Sequence, residues 1–105
     1  MGKRLQVRLS PAVLEALPAI WWYTAGRFSV EQADRYVDWL RSQLESLPDR
    51  MAEARKDPEL PEAYLWLLKR RPGWRHHGFL AVAYIEQEAL VVVELRHTAR
   101  PRQID

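Results

Sequence analysis

The spacing of the apolar residues changes twice along this sequence of 105 residues. Residues 4–9 alternate between apolar and polar, which is the two-residue period of a half-buried β-strand. From position 13 to position 47 the apolar residues recur every three or four positions, as in a helix that buries one face. Residues 78–97 return to strand-forming side chains. This order predicts an α+β fold: a small, twisted, mainly antiparallel sheet that carries an N-terminal helical hairpin on one face.

The first helix is predicted from Ser10 onward. Ser10 is a typical N-cap residue, and Pro11 suits the first helical position because the amide it lacks would have no partner there. Pro18 should kink or split this helix, since it removes an internal hydrogen bond. Gly26 is a plausible residue to end it.

The second helix has the clearest pattern in the chain. Ser29 and Gln32 fit a capping box at its start. Its apolar stripe consists of Ala33, Tyr36, Val37, Leu40, Leu44 and Leu47. Only two or three residues link it to the first helix, so the two helices are predicted to form a hairpin.

The segment between the helices and the last strands gives mixed signals. Residues 51–56, between Pro48 and Pro58, predict at most a short helical turn. Residues 63–69 favour a helix by residue propensity, but their short length and the Pro72-Gly73 turn that follows favour a buried strand. We predict a strand here, with a helix as the alternative.

The last strands are predicted to form an antiparallel hairpin. Residues 78–86 and 89–97 are strand-like and are separated by a short turn at Gln87-Glu88. Regular alternation places Leu90, Val92, Glu94 and Arg96 on one face of the second strand, and Val91, Val93, Leu95 and His97 on the other. The predicted order is β-α-α-β-β-β within one domain that spans residues 1–105.

Charge is distributed unevenly along the chain. The net charge is +2, with basic ends (+3 for residues 1–8 and +3 for residues 64–105) around an acidic middle (−4 for residues 9–63). A basic face made by the two ends would favour nucleic acid or an acidic protein partner. The chain has no cysteine, which excludes disulfides and cysteine-based catalysis and suits a cytoplasmic location. No apolar run approaches the length of a membrane span, so we expect no membrane partner.

Short motifs in this order resemble the toxins of the RelE/ParE superfamily, and most of all the ParE-like toxins of type II toxin–antitoxin systems. The similar segments are residues 20–25 (IWWYTA), 28–36 (FSVEQADRY), 44–48 (the leucine–proline end of the second helix), 83–84 (AY) and 93–97 (VELRH). Together they cover nearly the whole chain. The sequence departs from the family pattern at Ser29, where glycine is usual, and at Ile85, where arginine is usual.

The resemblance implies a toxin that is neutralised by a cognate antitoxin protein, which binds as an extended chain with a short helix. A ParE-like toxin would act by binding DNA gyrase. The alternative is a RelE-like enzyme that cuts mRNA on the ribosome, and a second alternative is a module that only binds the antitoxin and has lost its toxicity. Direct contact with DNA is not expected except through the antitoxin complex.

Two sets of side chains are candidates for the functional site. Cutting RNA needs a proton donor, a base and cations for the phosphate. His97 and Tyr84 could move the protons, and Arg96, with Arg71 and Arg75, could hold the phosphate. A binding site would instead use the basic residues around the last hairpin: Lys69, Arg70, Arg71, Arg75 and Arg100. Because an antiparallel hairpin returns the chain to its starting end, we expect these residues to lie at one edge of the sheet.

No cofactor or metal is expected from the sequence. His76 and His77 are adjacent, so on a strand they would point to opposite faces and could not easily bind one ion. The aromatic run Trp21-Trp22-Tyr23 is expected mainly to fill the core, with Trp22 as the best candidate for the surface.

Overall fold

The computed structural model describes residues 4–68 and 78–97, which contain two α-helices, a 3-10 helix and five strands. In chain order these elements are β1 (Gln6–Leu9), α1 (Pro11–Arg27), α2 (Val30–Glu45), the 3-10 helix (Leu47–Glu53), β2 (Arg55–Lys56), β3 (Tyr64–Leu68), β4 (Phe79–Glu86) and β5 (Ala89–His97). The predicted α+β order is confirmed, with β2 and the 3-10 helix added between α2 and β3.

The five strands form one sheet in the order β1-β5-β4-β3-β2. β1 lies parallel to β5, and the other neighbouring strands are antiparallel. The amide of Gln6 donates to the carbonyl of Glu88 at 3.1 Å, and the amide of Ser10 donates to the carbonyl of Val92 at 2.9 Å. The parallel pair therefore joins the first strand of the chain to the last.

Helix α1 begins as predicted but ends later. The Ser10 hydroxyl accepts the Val13 amide at 3.4 Å. The helix continues through Pro18, so the predicted split is wrong. Val13 and Thr24, on either side of that proline, are both buried, and packing on both sides holds the helix together. Gly26 lies inside the helix instead of ending it, and the chain leaves the helix at Phe28, just before the cap of α2.

Helix α2 begins at the predicted cap and packs along the predicted stripe. The Gln32 amide donates to the Ser29 hydroxyl at 3.0 Å. The six stripe residues are all buried, with Leu47 just beyond the end of the helix. The Trp21 indole donates to the Asp34 carboxylate at 2.8 Å and so fastens α1 to α2. The predicted helical hairpin is thus closed by both burial and a hydrogen bond.

The middle of the chain differs from the prediction before β3 and agrees with it at β3. The helical turn occurs at Leu47–Glu53, whereas Arg55–Lys56, placed by sequence in that turn, pair with β3 as a short edge strand. Residues 64–68 form a strand, so the alternative of a helix is wrong. β3 pairs with β4 on one side and β2 on the other, so its backbone amides and carbonyls form hydrogen bonds with both neighbours. Residue propensities for helix do not take these distant partners into account.

Trp66 joins the middle segment to the core. Its side chain is fully buried, and its indole donates to the carbonyl of Arg50 in the 3-10 helix at 2.8 Å. The guanidinium of Arg50 donates two hydrogen bonds to the Glu53 carboxylate and one to the side-chain oxygen of Gln43. Trp66 therefore attaches the 3-10 helix to the sheet, and the same hydrogen bond gives its buried indole N–H a partner.

A β-bulge changes the faces of β5. Val82 pairs with Glu94, but Ala83 pairs with Val92, so Val93 is an extra residue. Beyond the bulge Leu95 packs against the core on the helix side, while Glu94 and Arg96 turn to the opposite, outer face of the sheet. The prediction that Leu90, Val92, Glu94 and Arg96 share one face is therefore wrong.

Replacing Trp66 with phenylalanine should cost about 2 kcal/mol of the free energy of unfolding, because the carbonyl of Arg50 loses a buried partner and the core loses volume. Urea denaturation measures the loss. The matched control is Leu67→Ala, one residue along β3, where the side chain is 55% exposed and the cost should stay near 0.5 kcal/mol. Equal losses for the two variants would contradict the role given to Trp66.

Candidate functional site

Three strands meet at one end of the sheet. Leu68 pairs with Phe79, and Phe79 pairs with His97. The chain leaves β3, enters β4 and leaves β5 at this end, so the predicted meeting of the hairpin's two ends is confirmed. The basic candidates Lys69, Arg70, Arg71, Arg75 and Arg100 lie outside the residues that the structure describes.

His97 lies on the helix side of the sheet, against an aromatic ring. Its imidazole makes an edge-on contact with Phe79, with 4.9 Å between the ring centroids. Phe79 in turn approaches Tyr36 of α2 at 6.5 Å, and Tyr36 stacks on Trp39 at 5.8 Å. His97 is therefore the last member of an aromatic row that runs from α2 to β5.

Arg96 lies on the outer face and is paired within its own strand. Its guanidinium donates to the Glu94 carboxylate at 3.0 Å. This hydrogen bond raises the pKa of Arg96 above its usual value, and the negative charges of Asp57 and Glu59 add to the effect. A guanidinium that is already paired with a carboxylate is poorly suited to hold a phosphate.

Tyr84 lies on the outer face but at a distance from Arg96. It pairs with Val91, whereas Arg96 pairs with Leu80. Leu80 and Tyr84 are four positions apart in β4, which is about 13 Å along a strand. The structure thus places Tyr84 and Arg96 far apart on one face and His97 on the other, so the three candidate catalytic residues do not form one site.

The tip of the helical hairpin exposes large apolar side chains. Trp22 is 72% exposed and Tyr23 63%, while Phe28 and Val30, on either side of the Ser29 cap, are also exposed. Trp21 packs partly against the core and Trp22 lies at the surface as predicted, but Tyr23 is exposed as well, so the expectation that this run mainly fills the core is wrong. Tyr23, Phe28 and Val30 were missed as surface residues. None of the three belongs to the stripe of apolar residues predicted to be buried, and this was the signal in the sequence that could have identified them as exposed.

The described residues suggest neither a metal centre nor a membrane span. No group of three or more histidines, cysteines or acidic residues within 4–68 and 78–97 could hold a metal ion. His76 and His77 fall outside these ranges. Among the same residues no helix has the length and apolar character to cross a membrane.

Comparison with known protein families places this small α+β chain in a class of toxins, the RelE/ParE superfamily. The family model described as "ParE toxin of type II toxin-antitoxin system, parDE" matches residues 7–102. The chain therefore belongs to the ParE toxin family. A search of curated proteins gave no match.

Among solved structures, the fold is similar to a chain described as "Chromosomal ParDE TA system from P. aeruginosa". The TM-score is 0.72 at 17% sequence identity, and the alignment covers 90% of this chain and 96% of the other. At that identity the likeness concerns the fold. It extends over nearly all of both chains, which agrees with the span of the family match.

Burial raises the pKa of Tyr36 to about 12 from its ordinary value of 10.0. The unfolded chain therefore releases this proton at lower pH than the folded chain, and stability falls as pH rises through that window. Between pH 9 and pH 11 the protein should lose about 1 kcal/mol relative to Tyr36→Phe, which has no phenol to ionise. Denaturant titrations of both proteins at the two pH values measure the difference. Parallel changes in the two proteins would contradict it.

Proposed function

We propose that this protein is the toxin of a type II toxin–antitoxin pair, that a cognate antitoxin neutralises it, and that it inhibits growth by binding DNA gyrase. The observation that carries the binding mechanism is the separation of His97, Arg96 and Tyr84. Cutting RNA at its 2′-hydroxyl needs an acid, a base and a cation within reach of one phosphate. Side chains on two faces, or about 13 Å apart on one face, do not meet that requirement.

The antitoxin proposal is supported by apolar surface that a lone soluble domain does not need. Trp22, Tyr23, Phe28 and Val30 are each exposed near the turn of the helical hairpin, and exposed apolar residues that lie close together are typical of protein-binding sites. The similar solved structure comes from a ParDE toxin–antitoxin system, which supports a partner of the same kind. An antitoxin segment that folds on binding would cover such a surface.

The target-binding surface is proposed at the end of the sheet where β3, β4 and β5 meet. Residues 69–77 contain four cationic side chains and no acidic one, and Arg100 follows β5 by three residues. Lys69, Arg70, Arg71, Arg75 and Arg100 would together attract an acidic surface of the target. With gyrase as that target, the protein would act in the cytoplasm.

The gyrase proposal and its enzymatic alternative differ in a direct assay. The purified toxin should inhibit DNA supercoiling by gyrase and leave ribosome-bound mRNA uncut, and added antitoxin should restore supercoiling. Cleavage of mRNA with normal supercoiling would favour the RelE-like nuclease instead. If the protein neither inhibits supercoiling nor cleaves mRNA but still binds the antitoxin, it is a binding module that has lost its toxicity.

The double variant Arg71→Ala, Arg75→Ala should reduce growth inhibition and gyrase binding about tenfold or more, because it removes two charges from the proposed target surface. Its stability should change by less than about 0.5 kcal/mol. The matched control is Arg35→Ala, Arg41→Ala, which removes two exposed cations from α2. Dose–response curves for toxicity and binding curves with gyrase compare the pairs. Full toxicity in the first variant would place the target surface elsewhere.

A further inference from the structure

Strand β3 is apolar on both faces of the sheet. Tyr64, Trp66 and Leu68 pack against the core on the helix side. The residues between them, Leu65 and Leu67, point to the outer face and are leucines as well. An antiparallel sheet with one face in water usually alternates apolar and polar residues. The outer face of β3 therefore carries apolar surface that packing against the helices does not require.

Two cross-strand pairs extend this surface onto β4. Leu65 pairs with Val82, and Leu67 pairs with Leu80. Directly paired residues share a face and lie about 5 Å apart, so these four side chains form one contiguous group, the outer apolar patch. In the described part of the chain none of the four belongs to the apolar core that the helices cover. Val82 is buried within the patch, whereas Leu67 is 55% exposed.

Charged groups of both signs border the outer apolar patch. On β5 the neighbouring side chains are Glu94 and Arg96, which form an ion pair of 3.0 Å. On β2, Arg55 lies on the same face and is exposed. The negative charges of Asp57 and Glu59 act on Arg96 from the loop before β3. These charges largely cancel, so the patch is an apolar centre within a charged rim, as in many protein-binding sites.

Chain continuity joins the outer apolar patch to the proposed target-binding surface. Leu67 lies two residues before Lys69, where the segment 69–77 begins with its four lysine or arginine residues and no acidic one. That segment leads into β4, in which Leu80 is the second residue. The cationic segment therefore starts and ends within three residues of the Leu67–Leu80 pair.

The two kinds of side chain would contribute differently to binding. Exposed cations attract an acidic partner from a distance, but salt screens this attraction and it mainly raises the rate of encounter. Most of the affinity at a protein interface comes from a few anchors near its centre, where water is excluded. Leu67 is the most exposed large apolar side chain of the described sheet, so it is the residue best placed to contact such an anchor.

We propose that the outer apolar patch is the hydrophobic centre of the target-binding surface, and that the target docks on it with an aliphatic or aromatic side chain flanked by acidic residues. The apolar side chain contacts Leu67 and Leu80, and the acidic flanks face the cationic segment 69–77. A second copy of this chain fits less well, because it would bring two identical cationic segments together. The role of the patch rests on the proposed function, since the patch is part of the same target-binding surface.

The test replaces Leu67 with threonine, which removes the apolar contact and keeps a β-branched side chain that suits a strand. Affinity of the full chain for gyrase should fall about tenfold at low salt and by a similar factor at high salt. The effect of Arg71→Ala, Arg75→Ala should instead largely disappear at high salt, because it depends on charge. Leu67→Met keeps an apolar side chain and should bind like the wild type. Circular dichroism spectra show whether each variant keeps its fold.

The matched control is Ile85→Thr, the same kind of change at a side chain that is 39% exposed near the other end of β4. It should leave gyrase binding and growth inhibition unchanged. Growth inhibition by all the variants gives a second readout, which does not depend on the identity of the target. Leu67→Thr should weaken it about tenfold, whereas Leu67→Met and Ile85→Thr should not.

The outcomes separate the role of the patch from the choice of target. If the wild-type protein binds gyrase and Leu67→Thr binds it equally well, the patch is not the centre of the surface and the proposed function stands. If the wild type inhibits growth without binding gyrase and only Leu67→Thr loses inhibition, gyrase is the wrong target and the patch is supported. An equal loss in Ile85→Thr or in Leu67→Met would overturn the role of the patch. A wild-type protein that neither binds gyrase nor inhibits growth would overturn both proposals.

Discussion

The rest of the structure depends on β5. Its backbone must form hydrogen bonds with a strand on each side, and its apolar side chains must face the helices along its whole length. It pairs with β4 through a hairpin that is local in sequence, and with β1 across more than eighty residues. Helix α1 follows directly from β1, so the parallel pairing also sets where the helical hairpin covers the sheet. The Ser10 hydroxyl reinforces this junction, because it caps α1 and donates to the Val93 carbonyl at 3.3 Å.

The bulge at Val93 determines which side chains of β5 face the helices and which face outward. A regular β5 would alternate without interruption, and Leu95 would then face away from the helices. The extra residue returns Leu95 and His97 to the helix side and sends Glu94 and Arg96 outward. As a result, Arg96 and His97, which are adjacent in sequence and were both candidates for catalysis, lie on opposite faces of the sheet. His97 ends an aromatic row and Arg96 is paired with Glu94.

The described surface carries several features that the proposed antitoxin and target could bind. It offers exposed apolar side chains at the tip of the helical hairpin, and an end of the sheet where β3, β4 and β5 meet. These features lie on different parts of the fold, so the proposed antitoxin and the proposed target need not compete for every contact. A small domain with one packed layer of helices leaves enough of its sheet and helix surface uncovered to serve more than one partner.

The sequence by itself determined the elements whose signals are local. The cap at Ser29, the stripe of α2 and the hairpin turn at Gln87-Glu88 all appear where their spacing predicts them, because each depends on contacts within a few residues. The family resemblance was readable for the same reason, since its motifs mark those elements. The strand at 64–68 was predicted from its length and from the turn that follows it.

Only the tertiary structure decided the rest. It continued α1 through Pro18 and Gly26, formed β2 from Arg55 and Lys56, and added a residue to β5 at Val93. Each outcome depends on backbone groups and apolar faces that find partners far away in the sequence, and a single inserted residue reverses every face that follows it. The positions of Tyr84, Arg96 and His97 relative to one another therefore could not be obtained from their spacing in the chain.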